Sequence, residues 1–97
     1  MIVHILDPAK DDLAEGFWFY ESRDQGLGRY FLDTIYTEID KLKTTAGIHP
    51  MYEPPFFQML SDRFPFTIYY RVEGSEVFIE AVVDQRRDPE WISERLN

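Results

Sequence analysis

The chain has 97 residues, 18 of them acidic and 10 basic, for a formal charge of -8 and a pI near 4.6. That length makes one domain, 1–97, with no room for a second core, and 44% hydrophobic with 16% aromatic residues excludes global disorder. There is no cysteine, which excludes disulfides and thiolate metal sites, and an acidic chain is repelled by nucleic acid unless its cations are gathered in one place.

In chain order, IVHIL at residues 2–6 reads as a short apolar strand. The start MIVHILDP lacks a basic flank and a long apolar run, so it is not a signal peptide, and no stretch is long enough to span a membrane. A cytoplasmic location without membrane association is the expectation. Asp7-Pro8 reads as a helix start, with Asp7 as N-cap and Pro8 at the first helical position. Leu13, Phe17 and Tyr20 recur at helical spacing until about residue 22, and Asp24-Gln25-Gly26 breaks the helix.

A second helix is expected from about Leu27 to Ala46. Leu27, Phe31, Ile35, Ile39 and Leu42 form its apolar stripe, with Asp33, Thr37, Asp40 and Lys41 off it. Gly47 stops it, with Pro50 beyond. The two helices make an antiparallel hairpin.

After a loop at 47–55, FFQML at 56–60 reads as strand two, turned by Ser61-Asp62. Strand three runs from about 64 to 72, with Phe66, Ile68, Tyr70 and Val72 on one face and Pro65, Thr67, Tyr69 and Arg71 on the other. Glu73-Gly74-Ser75 supplies a hairpin turn. Strand four runs from about 76 to 84; alternation puts Val77, Ile79, Ala81 and Val83 opposite Phe78, Glu80, Val82 and Asp84. Asp88-Pro89 repeats the helix-start signal, and residues 89–96 form a short last helix anchored by Trp91. The expected fold class is α+β, in the order β-α-α-β-β-β, with the helical hairpin on one face of a small, mostly antiparallel twisted sheet and a short C-terminal helix. The other sheet face would then be decorated by Thr67, Tyr69, Arg71, Glu80 and Asp84.

The segments LAEGFWFYESRDQGLGRYFLDTI, FPFTIYYRV and AVVDQRRDPEW occur in that order over nearly the whole length. Taken together, they resemble the RelE/ParE superfamily of type II toxin–antitoxin toxins, often called plasmid stabilisation proteins. The resemblance implies helices packed on one face of the sheet and action from the concave face. A cognate antitoxin segment that folds on binding commonly masks that face. RelE-like members cleave messenger RNA on the ribosome with a cluster of lysines and arginines that hold phosphate, activate the 2′-hydroxyl and stabilise developing charge. ParE-like members lack much of that cluster and poison DNA gyrase.

Carried onto this sequence, the strand-two lysine positions fall near Gln58 and Leu60, and the strand-three arginine position falls at Thr67. Asp84 stands where many relatives have histidine. The arginine after strand four is retained as Arg87, which would be the catalytic residue if the chain were a nuclease, and the C-terminal tyrosine of some nucleases has no counterpart. The resemblance therefore implies a ParE-like toxin with no cofactor. It would bind a large target, DNA gyrase by precedent rather than the ribosome with mRNA, and be neutralised by an antitoxin, as a homodimer or a hetero-oligomer with it. Ribosome-dependent endoribonuclease activity and a non-toxic relative that keeps only partner binding are the alternatives.

Candidate target- or antitoxin-binding residues are Arg63, Thr67, Tyr69, Arg71, Asp84, Arg86 and Arg87. Arg63, Arg71, Arg86 and Arg87 read either as one cationic patch or as locally paired charges, Arg71 with Glu80 across the hairpin and Arg86 and Arg87 with Glu80, Asp84 or Asp88. Of the aromatic run Phe17 to Tyr20, core packing accounts for two, and the others face a partner, a second copy or helix two. His4 and His49 read as incidental, a histidine-based metal site being disfavoured. Asp11 and Asp12 read as first-turn acids that favour the helix dipole.

Overall fold

The computed structural model describes Met1–Asn97. Its elements are β1 (Ile2–Ile5), α1 (Asp7–Glu21), α2 (Leu27–Asp40), α3 (Leu42–Thr45), β2 (Phe57–Leu60), β3 (Phe66–Glu73), β4 (Glu76–Asp84) and α4 (Pro89–Leu96). The sheet order is β1-β4-β3-β2; β1 runs parallel to β4 and the other pairs are antiparallel. This is the α+β arrangement expected from the sequence.

The α1–α2 hairpin lies on one sheet face. Ala9 and Leu13 of α1 and Phe31, Ile35 and Ile39 of α2 meet Ile68, Tyr70, Val77, Ile79 and Val82 of the sheet, all nearly fully buried. The helices approach closely because two glycines stand at the contact. A Cβ on Gly16 would sit 2.5 Å from the Phe31 ring, and one on Gly28 2.6 Å from the Phe17 carbonyl oxygen. Glu21 closes the turn by accepting from the backbone N–H groups of Gly26 and Gly28.

The other sheet face differs from expectation. α4 folds back over it and packs Ile92 against Tyr69, Ala81 and Val83, with Tyr52, Trp91 and Leu96 around them. Thr67 and Tyr69 are each only 3% exposed, so the lower part of this face is a second small core rather than a decorated surface. Ile92, not Trp91, anchors α4.

Strict alternation on β4 also fails. Tyr70 pairs with Ile79 but Tyr69 pairs with Ala81, leaving Glu80 as an extra, unpaired residue. This bulge reverses the facing of the residues beyond it. Val82 enters the main core, Ala81 and Val83 turn toward α4, and Asp84 lies beside α1 instead of on the far face.

Other departures are local. Leu6, not Asp7, is the N-cap of α1, and Asp7 is the first helical residue with no capping bond. The second helix is interrupted at Lys41, whose carbonyl accepts the N–H groups and hydroxyls of Thr44 and Thr45, tightening the turn. Leu42 still reaches the core. Strands two and three begin later than expected, at Phe57 and Phe66, with Pro65 left in the preceding turn.

Both histidines have structural roles. His4 Nε2 lies 2.8 Å from Glu76 Oε1, and its ring stacks on Phe78. The Tyr70 hydroxyl accepts from Gly47 N–H at 3.0 Å and is hydrogen-bonded to His49 Nδ1. The hydroxyl has no other hydrogen-bond partner, so giving its proton to His49 Nδ1, the acceptor of a neutral ring, is the assignment that leaves the phenol donor paired. Burial lowers the His49 pKa from its ordinary value, in keeping with that assignment.

Candidate binding cleft between α1, β4 and α4

Where β1 ends, the outer edge of β4 is left open. Asp12, on α1, closes it: Oδ2 accepts the Val82 backbone N–H at 2.9 Å. The same carboxylate takes two hydrogen bonds from Arg95 of α4, at 3.0 and 2.7 Å, and Arg95 also reaches the Glu80 carbonyl. Asp12 is therefore a buried tie between α1, β4 and α4, rather than an acid serving only the helix dipole.

Beside this tie lies a cleft of about 490 Å³. Gly16, Phe66, Val82 and Val83 contribute to its lining, with the aromatic rings of Phe19 and Trp91, and Asp12, Glu15, Asp84, Arg86, Arg87 and Arg95 supply charge. Gly16 keeps α1 low here, so one glycine serves both the helix packing and the opening.

The charges are arranged unequally. Arg86 grips Asp84 with Nε and Nη2 at 2.9 and 2.6 Å, and the Arg86 backbone N–H adds a third bond at 2.8 Å. The hydrogen bonds from the Arg86 side chain, more than any other influence, hold the Asp84 carboxyl at about 2. Arg95 is spent on Asp12. Arg87 instead lies over the Trp91 ring, 4.3 Å from its centroid, and forms no ion pair. It is the cleft's one guanidinium not neutralised by a carboxylate. Asp88 caps α4 by accepting the Glu90 N–H, which fixes the turn that presents Arg86 and Arg87.

Of the seven candidate residues, the structure brings Asp84, Arg86 and Arg87 together. Arg63 lies elsewhere, donating from Nη1 to the Tyr30 hydroxyl at 3.0 Å. Arg71 is held between Glu80 and Glu73, at 2.7 and 2.6 Å, and stacks on Phe78. Tyr69 lies beneath α4, and Thr67 is buried. The four arginines thus form no single patch. Phe19, Trp91, Asp12 and Arg95 complete the cleft; Phe19 belongs to the aromatic run of which core packing was expected to take two, Trp91 was expected to anchor α4, and nothing in sequence joins positions 12 and 95.

The β2 register pairs Gln58 with Tyr69 and Leu60 with Thr67. Gln58, Leu60 and Thr67 thus lie together on β2 and β3, where they present amide, alkyl and hydroxyl groups.

No family model matches the sequence, and no curated protein is similar to it at a significant level. Its structure does find a counterpart. A chain of the solved chromosomal ParDE toxin–antitoxin system from P. aeruginosa superposes with a TM-score of 0.80, covering 87% of this chain and 95% of that one at 20% identity. The fold is ParE-like. At that identity the likeness between the two chains is one of architecture. No helix of this ParE-like chain is long and apolar enough to cross a membrane.

Proposed function

We propose that the chain is the toxin component of a type II toxin–antitoxin, or plasmid stabilisation, module that acts in the cytoplasm by binding a macromolecular target. DNA gyrase is the target by precedent of the ParE class, and a cognate antitoxin neutralises the toxin. The observation that carries this reading is the ParE-like fold over 87% of the chain. The occupants of the nuclease positions support binding over cleavage. Gln58, Leu60 and Thr67 supply neither a proton-transfer group near neutral pH nor a positive charge for phosphate. The free guanidinium of Arg87, set on Trp91 and next to Phe19, offers a contact suited to an acidic or aromatic surface.

Controlled expression in a bacterial host tests the reading. Growth arrest with an SOS response, together with inhibition of gyrase supercoiling by the purified protein, is the expected result. Arrest through blocked translation with cleaved messenger would favour the nuclease reading, and normal growth with no effect on supercoiling would leave only a non-toxic binding domain.

A further inference from the structure

The sheet has three stretches of outer edge, and the chain closes two of them itself. Beyond the end of β1, the β4 edge is met by Asp12 at the Val82 N–H and by Arg95 at the Glu80 carbonyl. On the opposite side, residues 50–52 lie along β2. The Pro50 carbonyl accepts the Gln58 N–H at 2.9 Å, and the Tyr52 N–H donates to the Phe56 carbonyl at 3.0 Å. Past that cover only Leu60 faces outward before the chain turns.

The third stretch is β1, which lies parallel to β4 with Ile2 opposite Glu76 and His4 opposite Phe78. The Ile2 N–H donates to the Ser75 carbonyl and the Leu6 N–H to that of Ile79, so positions 2, 4 and 6 turn their backbone groups toward β4. The N–H and C=O groups of Val3 and Ile5 therefore point away from the sheet, and no hydrogen bond of the chain satisfies them. Edge strands are ordinarily guarded by a charged residue, a proline or a bulge. Ile2–Ile5 has none of these.

We infer that β1 is the contact through which two copies of this chain associate, pairing antiparallel about a two-fold axis at His4. That register is self-complementary. Val3 of each copy faces Ile5 of the other, and each of these pairs exchanges its outward N–H and C=O groups, so no edge group is left over. The two sheets then become one. Charge favours the same place. A chain of formal charge -8 repels its own copy over most of its surface. β1 carries no carboxylate, and the one beside it, Glu76, is already held by His4 at 2.8 Å. The inference does not depend on the target or on toxicity, since no β1 residue lines the cleft that carries Arg87.

The test uses the full chain in two measurements. Sedimentation equilibrium of the unaltered protein, which needs no variant, is expected to show a mass that rises with concentration from 11.6 kDa toward twice that value. A protein still monomeric at ~1 mM would overturn the inference. The chain has no cysteine, so single cysteines report the register. At the axis the two His4 Cα atoms stand ~4.5 Å apart, within disulfide range. His4→Cys is therefore expected to link two copies under mild oxidation roughly tenfold faster than Ile2→Cys. Ile2 is the more exposed residue, but in this register it lies opposite Leu6 and about 13 Å from its own copy. Linkage of Ile2→Cys as fast as that of His4→Cys would overturn the pairing.

Discussion

Asp12 and Arg95 meet in a two-point ion pair, and the carboxylate oxygen nearer to Arg95 also receives the Val82 N–H. Only 10% of the Asp12 side chain is exposed. Removing it leaves a partly buried guanidinium and a buried amide without their acceptor. Asp12→Ala is expected to cost about 3 kcal/mol, measured as a lower denaturation midpoint. Arg95→Met, which keeps the stem that packs on β4, is expected to cost less. Equal stability of wild type and Asp12→Ala would refute the tie.

Gly28 has the Phe17 carbonyl oxygen where a Cβ would go, and backbone cannot yield as a side-chain tip does. Gly28→Ala is expected to destabilise by roughly 1–3 kcal/mol through forced separation of α1 and α2, although alanine is the better helix former. A stabilised Gly28→Ala protein in thermal unfolding would contradict the packing.

The Tyr70 hydroxyl serves Gly47 and His49 together. Tyr70→Phe is expected to cost about 1–3 kcal/mol, because it strands a backbone donor and a ring acceptor. The His49 pKa is lowered on folding, so the unfolded chain binds the proton more readily. The contribution is present above the ordinary value of 6.5 and is lost as pH falls from there through the folded-state pKa. His49→Asn is expected to flatten this part of a stability–pH curve. An unchanged slope would show that the histidine does not titrate as described.

Arg86 holds Asp84 well below the ordinary carboxylate value of 3.8. A depressed carboxyl stabilises the fold above that value and loses its contribution as pH falls toward about 2. In Arg86→Met the Asp84 carboxyl resonance is expected to titrate nearer 3.8. Titration still at about 2 would place the cause outside this ion pair.

Arg71 is occupied on two sides by glutamates, whereas Arg87 has only Trp91. If the chain arrests growth, Arg87→Ala is expected to relieve the arrest and to weaken target binding about tenfold in Kd, ~1.4 kcal/mol. Arg71→Ala is expected to lower stability with less effect on target binding per folded molecule. The reverse ranking, with both variants folded by circular dichroism, would move the contact surface to the hairpin end of the sheet.

The order of elements was legible because period and punctuation agreed. The α2 stripe from Leu27 to Leu42, the alternation in FPFTIYYRV and the Asp88-Pro89 start each specify a local geometry, and each appears. The β4 bulge was hidden because EVFIEAVVD alternates plausibly in either register beyond Ile79. Its consequence, Val82 inward and Asp84 beside α1, changed what the candidate site contains. The path of α4 was equally hidden: an eight-residue helix with Ile92 and Leu96 shows an apolar side without saying which sheet face receives it. Asp12 and His49 acquired their roles through residues brought close only by folding, so neither had a neighbour in sequence to announce it.

The pairing of β1 with β4 joins position 2 to position 76, and the Asp12 tie joins position 12 to position 95. Synthesis proceeds from the N-terminal side, so β1 and the start of α1 must wait for partners made much later. Contacts this distant in sequence also tend to slow folding. The cleft that carries Arg87 therefore cannot be complete before both Val82 and Arg95 have been made, because Asp12 closes the β4 edge at Val82 and is itself held by Arg95. A chain made only through the helical hairpin would carry α1 and α2 without the finished surface, so an interval exists in which the hairpin is present and that surface is not.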